Sequence, residues 1–159
     1  MLMLPQEQDT TKAAPRLFVD AMLGRLAKWL RLVGYDAAYW RDGSDEALIA
    51  AARAADRLII TRDRQLAARR GVAAVFICAD GLDEQIAEVR SAVGGAPRPF
   101  TRCGECNGRL TALAHEDARE LVPPYVWQTQ IEFHRCEACG RVYWKGTHWP
   151  AVAARVEGM

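Results

Sequence analysis

A chain of 159 residues, 50% hydrophobic and 26% charged, has a globular composition and is long enough for one domain of about 100 residues plus a small module. A formal net charge of +1 removes whole-chain charge as an argument for a polyanionic partner, so only local patches can speak for one. No apolar run approaches the roughly 20 residues a membrane helix needs, and MLMLPQEQDTTKAAP lacks the basic start and apolar core of a secretory signal. The expectation is a cytoplasmic protein without membrane association, whose residues 1–15 form a disordered extension.

In chain order, RLFV (Arg16 to Val19) predicts a short buried strand. DAMLGRLAKWLRLVG follows, with Leu23, Leu26, Ala27, Leu30 and Val33 at helical spacing on one face and Arg25, Lys28 and Arg31 on another side. Gly34 suits the C-cap. AAYWR (Ala37 to Arg41) predicts a second strand, and Ser44 an N-cap for DEALIAAARAA. LII (Leu58 to Ile60) is the third strand, and a short helix from Asp63 to Arg70 ends at Gly71. VAAVFIC is the fourth strand, which assigns Cys78 to the core, and Leu82 to Val93 is the fourth helix. Four alternations of strand and helix imply an α/β domain with a parallel sheet flanked by helices, because parallel crossovers need a long connection. GGAPRP then marks a boundary. The predicted division is 16–94 for the α/β domain, 95–99 for the linker, 100–150 for a second module and 151–159 for a tail.

The strand ends carry acids. Asp20 follows strand one, Asp45 and Glu46 open the helix after strand two, Asp63 follows strand three, and Asp80 follows strand four. In a parallel α/β sheet these positions share the edge where such folds place their sites. Each acid taken singly reads as a helix cap, and Glu46, Asp83 and Glu84 are assigned to that role. The repetition of Asp is not required by capping, which Ser, Thr or Asn satisfies equally. A carboxylate cluster becomes favourable around a hard divalent cation, and Mg²⁺ or Mn²⁺ held this way serves phosphoryl displacement. The first 114 residues contain no histidine, which excludes His as general base on this domain. Arg25, Lys28, Arg31, Arg62 and Arg64 are candidate phosphate contacts near the rim; the alternative is a solvated helix face.

The second module opens with Cys103-x-x-Cys106 and closes with Cys136-x-x-Cys139. That spacing predicts one four-cysteine zinc site, which is structural because it keeps no open coordination position. Gly108 and Gly140 follow the two pairs. The module also holds seven of the chain's 13 aromatic residues. RVYWKGTHW interleaves basic and aromatic side chains, so Trp144, Lys145 and Trp149 are candidate contacts for single-stranded nucleic acid. The alternative, that these rings pack against the α/β domain, is preferred for Tyr125 and Trp127.

FVDAMLGRLAKWLRLVGYDAAYWRDGSDEALI, LIITRDRQLA, the cysteine pairs and RVYWKGTHW together resemble the Mut7-C ribonuclease family over roughly Arg16 to Trp149. The resemblance implies a PIN-like nuclease domain joined to a C-terminal zinc ribbon. It also implies that Asp20, Asp45 and Asp63 are the carboxylates that bind catalytic Mg²⁺ or Mn²⁺, with Asp80 at a less regular fourth position. The expected function is a metal-dependent endoribonuclease acting on single-stranded or structured RNA. The alternatives are a non-catalytic RNA-binding adaptor and a phospho-acceptor domain, the latter weakened by the lack of a lysine after the last strand.

Overall fold

The computed structural model of the protein describes residues 13–157. Residues 1–12, most of the expected extension, lie outside them.

The first unit is built on four strands: β1 (Leu17–Val19), β2 (Ala37–Tyr39), β3 (Leu58–Thr61) and β4 (Ala74–Phe76). They form one parallel sheet in the order β2-β1-β3-β4. The crossovers carry α1 (Gly24–Val33), α2 (Asp45–Ala54) and α3 (Arg64–Ala68), and α4 (Leu82–Val93) follows β4. Neighbouring residues of β3 explain the layering. Successive side chains of a strand point to opposite faces. Ile60 joins Leu17, Leu26, Leu30, Ile86 and Val89 in one buried cluster, beneath α1 and α4. Ile59 joins Leu48, Ala52 and Leu66 in another, beneath α2 and α3. A sheet covered on both faces needs apolar residues at consecutive positions, as LII supplies.

The second unit is an antiparallel sheet of β5 (Leu110–Leu113), β6 (Phe133–Cys136) and β7 (Val142–Trp144), in that order. The helices α5 (His115–Ala118) and α6 (Pro124–Thr129) lie between β5 and β6. Ala118, Val122, Val126 and Phe133 form a small core of its own, with Trp127 and Trp144 packed against it.

Several expectations are corrected. The first helix begins with a 3-10 turn over Ala21–Leu23, and α1 starts only at Gly24. The strand expected to run to Cys78 ends at Phe76. Ile77 turns into the core while Cys78, on the opposite side of the pleat, is exposed. Its backbone N–H is taken by the Glu88 carboxylate at 2.8 Å, so the chain needs no ladder partner there. Arg31, placed with the basic face of α1, is buried. Tyr125 is exposed, and Trp127 packs within its own unit rather than on the α/β domain. The stretch read as a tail lies in a helix, α7 (Trp149–Glu157), which returns to the first unit. Arg155 of α7 pairs with Asp83 at 2.6 Å and lies over the Trp29 ring at 4.1 Å, and Val156 packs on the α1–α4 core.

Candidate functional site

The sheet order sets the order of the acids along its C-terminal edge: Asp45, Asp20, Asp63, Asp80. The middle two are drawn together. The Asp20 N–H donates to the Ile60 carbonyl at 2.9 Å, extending the β1–β3 ladder by one residue. The buried Thr61 hydroxyl donates to Asp20 Oδ2 at 2.8 Å and accepts the Asp63 N–H at 3.0 Å. Asp20 Oδ1 accepts from Ala21 N–H at 2.7 Å, capping the 3-10 turn. Asp63 Oδ1 accepts from Gln65 and Leu66 N–H at 2.8 and 3.1 Å, capping α3. Both carboxylates are held in one orientation by backbone amides, and the described bonds of Asp63 engage a single oxygen. Thr61 is the residue sequence reasoning missed. Its signal was a hydroxyl ending an apolar strand: a buried hydroxyl needs a partner, and the strand ends offer carboxylates.

The outer two acids are engaged by arginines. Asp45 Oδ2 lies 3.6 Å from Arg69, which also holds Glu46 at 3.0 Å. Asp80, with a side chain 91% exposed, pairs with Arg62 at 2.7 Å. A pair so exposed is worth about 0–1 kcal/mol and exchanges readily with other ions.

The remaining candidates fall into two groups. Arg25 is exposed, and Arg64 is exposed with its guanidinium over the Phe76 ring at 5.0 Å. Lys28 pairs with Glu105 of the second unit at 2.7 Å, so it joins the units. Arg31 does so more firmly: its guanidinium donates to the carbonyls of Ala37, Gly104 and Glu105 at 2.7, 3.1 and 3.2 Å. In the second unit, Trp144 lies edge-on to Phe133 with ring centres 6.5 Å apart. Trp149 packs tilted against Phe100 with ring centres 4.9 Å apart, and the Lys145 ammonium sits 5.1 Å from the Trp149 ring centre.

The four cysteines converge. All four Sγ atoms lie within 4.8 Å of one another, with Cys103–Cys139 at 3.7 Å and Cys106–Cys136 at 3.4 Å. A tetrahedral zinc with Zn–S of about 2.3 Å sets its sulfurs about 3.8 Å apart, so the donor set fits that ion. Gly108 is required by space: a Cβ there would stand 2.7 Å from the Cys136 sulfur. The Tyr143 hydroxyl meets Cys103 Sγ at 3.0 Å and accepts the Gly104 N–H at 3.1 Å. Burial alone would raise the Cys103 thiol; the Tyr143 hydroxyl and the backbone amides of Cys106 and Glu105 outweigh it and bring it down to about 7. Desolvation and the neighbouring sulfurs push Cys106 up to about 12. Metal ligation takes all four as thiolates, so binding of an ion releases protons from the cluster.

Among the described residues this is the one group of three or more His, Cys, Asp or Glu gathered within reach of a single ion. No helix among them is long and apolar enough to cross a membrane. No curated protein and no solved structure matches the chain. The Mut7-C RNAse domain, by contrast, matches residues 15–156, from two residues before the first strand through the cysteine module and into α7. With the acid-edged parallel sheet and the four-cysteine module both inside that span, the chain belongs to the Mut7-C RNAse domain family.

Proposed function

We propose that the protein is a divalent-metal-dependent endoribonuclease that cleaves RNA phosphodiester bonds, with Asp20 and Asp63 holding Mg²⁺ or Mn²⁺ and Asp45, paired with Arg69, as the third carboxylate of the rim. The family points to a nuclease and to RNA as its substrate. The observation that carries the metal reading is the Asp20–Thr61–Asp63 linkage at the end of β1 and β3. Mg²⁺ is commonly held by one or two carboxylates with water and substrate phosphates completing the shell, and two adjacent hard-oxygen donors suit it. When bound, such an ion neutralises charge on the phosphate and makes water a better nucleophile.

The protein's own groups do the positioning. Thr61 fixes the Asp20 rotamer, and the α3 amides fix Asp63. Arg69 and Arg62 hold Asp45 and Asp80 at the flanks through exchangeable pairs. Asp80 is the outer, fourth acid of this reading. Arg25, Lys28, Arg62 and Arg64 contact the RNA backbone, and Trp149 with Lys145 offers a stacking face on the ribbon, Trp144 supporting it from the core side. Zinc at the four cysteines holds the ribbon together and takes no part in the chemistry. A zinc–thiolate site fits a reducing compartment, and we place the protein in the cytoplasm.

A second reading, a non-catalytic RNA-binding adaptor, draws on the same rim. Asp63 is a satisfied cap, and the Asp45 and Asp80 pairs balance charge without a cation. Asp63→Asn separates the two, because Asn still caps through its amide oxygen but removes charge from the ion's shell. The expected result is cleavage of RNA with Mn²⁺ that stops with chelator and is lost in Asp63→Asn and Asp20→Asn. Melting without divalent ions should be unchanged or slightly raised, since like charges no longer crowd. A folded Asp63→Asn protein that still cleaves would place the nuclease site elsewhere.

A further inference from the structure

A cavity of about 620 Å³ opens where the two units meet, on the sheet edge opposite the acid rim. Arg16 stands just before β1 and Asp36 just before β2. The linker adds Arg98, and the cysteine unit adds Arg102 and Arg109. Four arginines from three parts of the chain therefore line one cleft with a single acidic residue.

That carboxylate is already engaged. Asp36 receives Arg57 at 2.6 Å, the Asn107 amide at 2.7 Å and Arg102 at 3.4 Å. These ion pairs leave Arg16, Arg98 and Arg109 without a carboxylate partner among the described residues. The linker that carries Arg98 is held in place. Gly34 ends α1 at φ +114°, and the Arg98 backbone lies so close that a Cβ at position 34 would collide with it. The Thr101 hydroxyl donates to the Arg98 carbonyl at 2.6 Å. Gathering unpaired cations costs free energy by mutual repulsion, and an anion in the cleft reverses the sign. The guanidinium fork matches phosphate oxygens two at a time. The volume lies within the range of small-molecule sites, about 300–1,000 Å³. The lining holds no aromatic ring, so nothing there stacks on a base.

We infer that this cleft is a phosphate-binding site, separate from the acid rim, that grips a phosphorylated ligand of nucleotide size by its phosphates and is indifferent to its base. The inference goes beyond the nuclease reading and does not rest on it. The test is calorimetric titration of the full-length, zinc-loaded protein without added divalent ions, using pyrophosphate, ADP and CDP as probes. Saturable binding is expected, with ADP and CDP equal within about twofold and displaced by pyrophosphate. Arg98→Gln combined with Arg109→Gln should weaken binding about tenfold or more. Both side chains are exposed, so folding is not at stake, and Arg70→Gln, an exposed position outside the cleft lining, serves as the charge control. A 5′-phosphorylated RNA oligonucleotide that displaces ADP, while its 5′-hydroxyl twin does not, assigns the ligand to an RNA end. Displacement by neither assigns it to a free nucleotide. Absence of saturable binding by every probe, or binding unchanged in the double variant, overturns the inference. Repeating the titration in Asp63→Asn keeps the two proposals apart, since loss of cleavage there leaves the cleft intact.

Discussion

The two units of this chain are stabilised by different means. The α/β unit encloses its sheet between helices on both faces, and its larger core cluster alone contains Leu17, Val19, Leu26, Leu30, Val33, Ile60 and Val89. The cysteine unit buries four residues in its own cluster and leaves Leu121, Tyr125 and Ile131 exposed. A core that small contributes too little to offset chain entropy, and small modules supplement it with metal or docking. This unit has both: four convergent sulfurs, and a set of polar contacts to α1 and to the start of β2 that includes Arg31 to the Gly104 and Glu105 carbonyls and Asn107 Oδ1 accepting the Ala37 N–H at 3.0 Å. The first unit folds by burial of apolar area; the second is held largely by specific bonds.

That contrast is most exposed to metal removal. The protein should contain one zinc per chain, and structural zinc carries roughly 10–16 kcal/mol of apparent binding free energy at neutral pH. Cys136→Ser should therefore unfold the ribbon while the α/β unit keeps its cooperative melting transition. Metal analysis together with proteolytic mapping reads this directly. A zinc-free preparation with an intact ribbon would show that the small core and docking suffice.

Leu30→Ala is the converse experiment. It empties a fully buried position between α1 and the sheet and should cost about 2–5 kcal/mol. Zinc content should not change, because no ligand depends on that side chain. Denaturant midpoints and metal stoichiometry measured on the same sample check both halves.

Arg31→Met tests the docking itself. Methionine keeps much of the apolar stem, but three carbonyls lose their donor. Unsatisfied buried acceptors cost about 1–3 kcal/mol each at most. The linker around 95–99 should become more sensitive to protease, with both units still folded. If the cut rate stays at the parental value, the docking is carried by Asn107 and the Lys28–Glu105 pair.

The smallest effect is a pH dependence at Asp36. Burial alone would raise its carboxyl, but hydrogen bonds from Arg57 and Asn107 and the charges of Arg57 and Arg102 outweigh burial and hold it below the ordinary carboxylate value. A group depressed in the folded state stabilises fully above its unfolded pKa and loses that contribution as pH falls through the folded value. The stability from this junction should thus be present at neutral pH and decline below about pH 4. In Asp36→Asn the acid limb of a stability-against-pH curve should be flatter, with the largest difference from the parent protein at neutral pH.

Much of this protein is decided by local pattern. The alternation of apolar runs with helical periodicity fixes an α/β unit with a parallel sheet, because consecutive strands joined by helices have no other compact solution. The two Cys-x-x-Cys pairs specify a metal module, since a tight turn brings each pair of thiols to one ion. The placement of Asp20, Asp45, Asp63 and Asp80 on one edge follows from the same topology. What the pattern could not decide is which of those acids meet. The Asp20–Thr61 bond joins residues 41 apart in sequence, and it depends on β3 pairing with β1 rather than with β2. The same holds for Arg31, whose helical position marks it as one of several basic residues until Gly104, 73 positions away, supplies a carbonyl to bury it against. Cys78 leaves the core because β4 stops two residues early, and α7 returns to α1 because Arg155 and Val156 find partners on the first unit. The arginine cleft is the furthest from local reading: its four cations come from a strand start, a linker and a metal module, and only docking of the two units brings their charges close enough to matter.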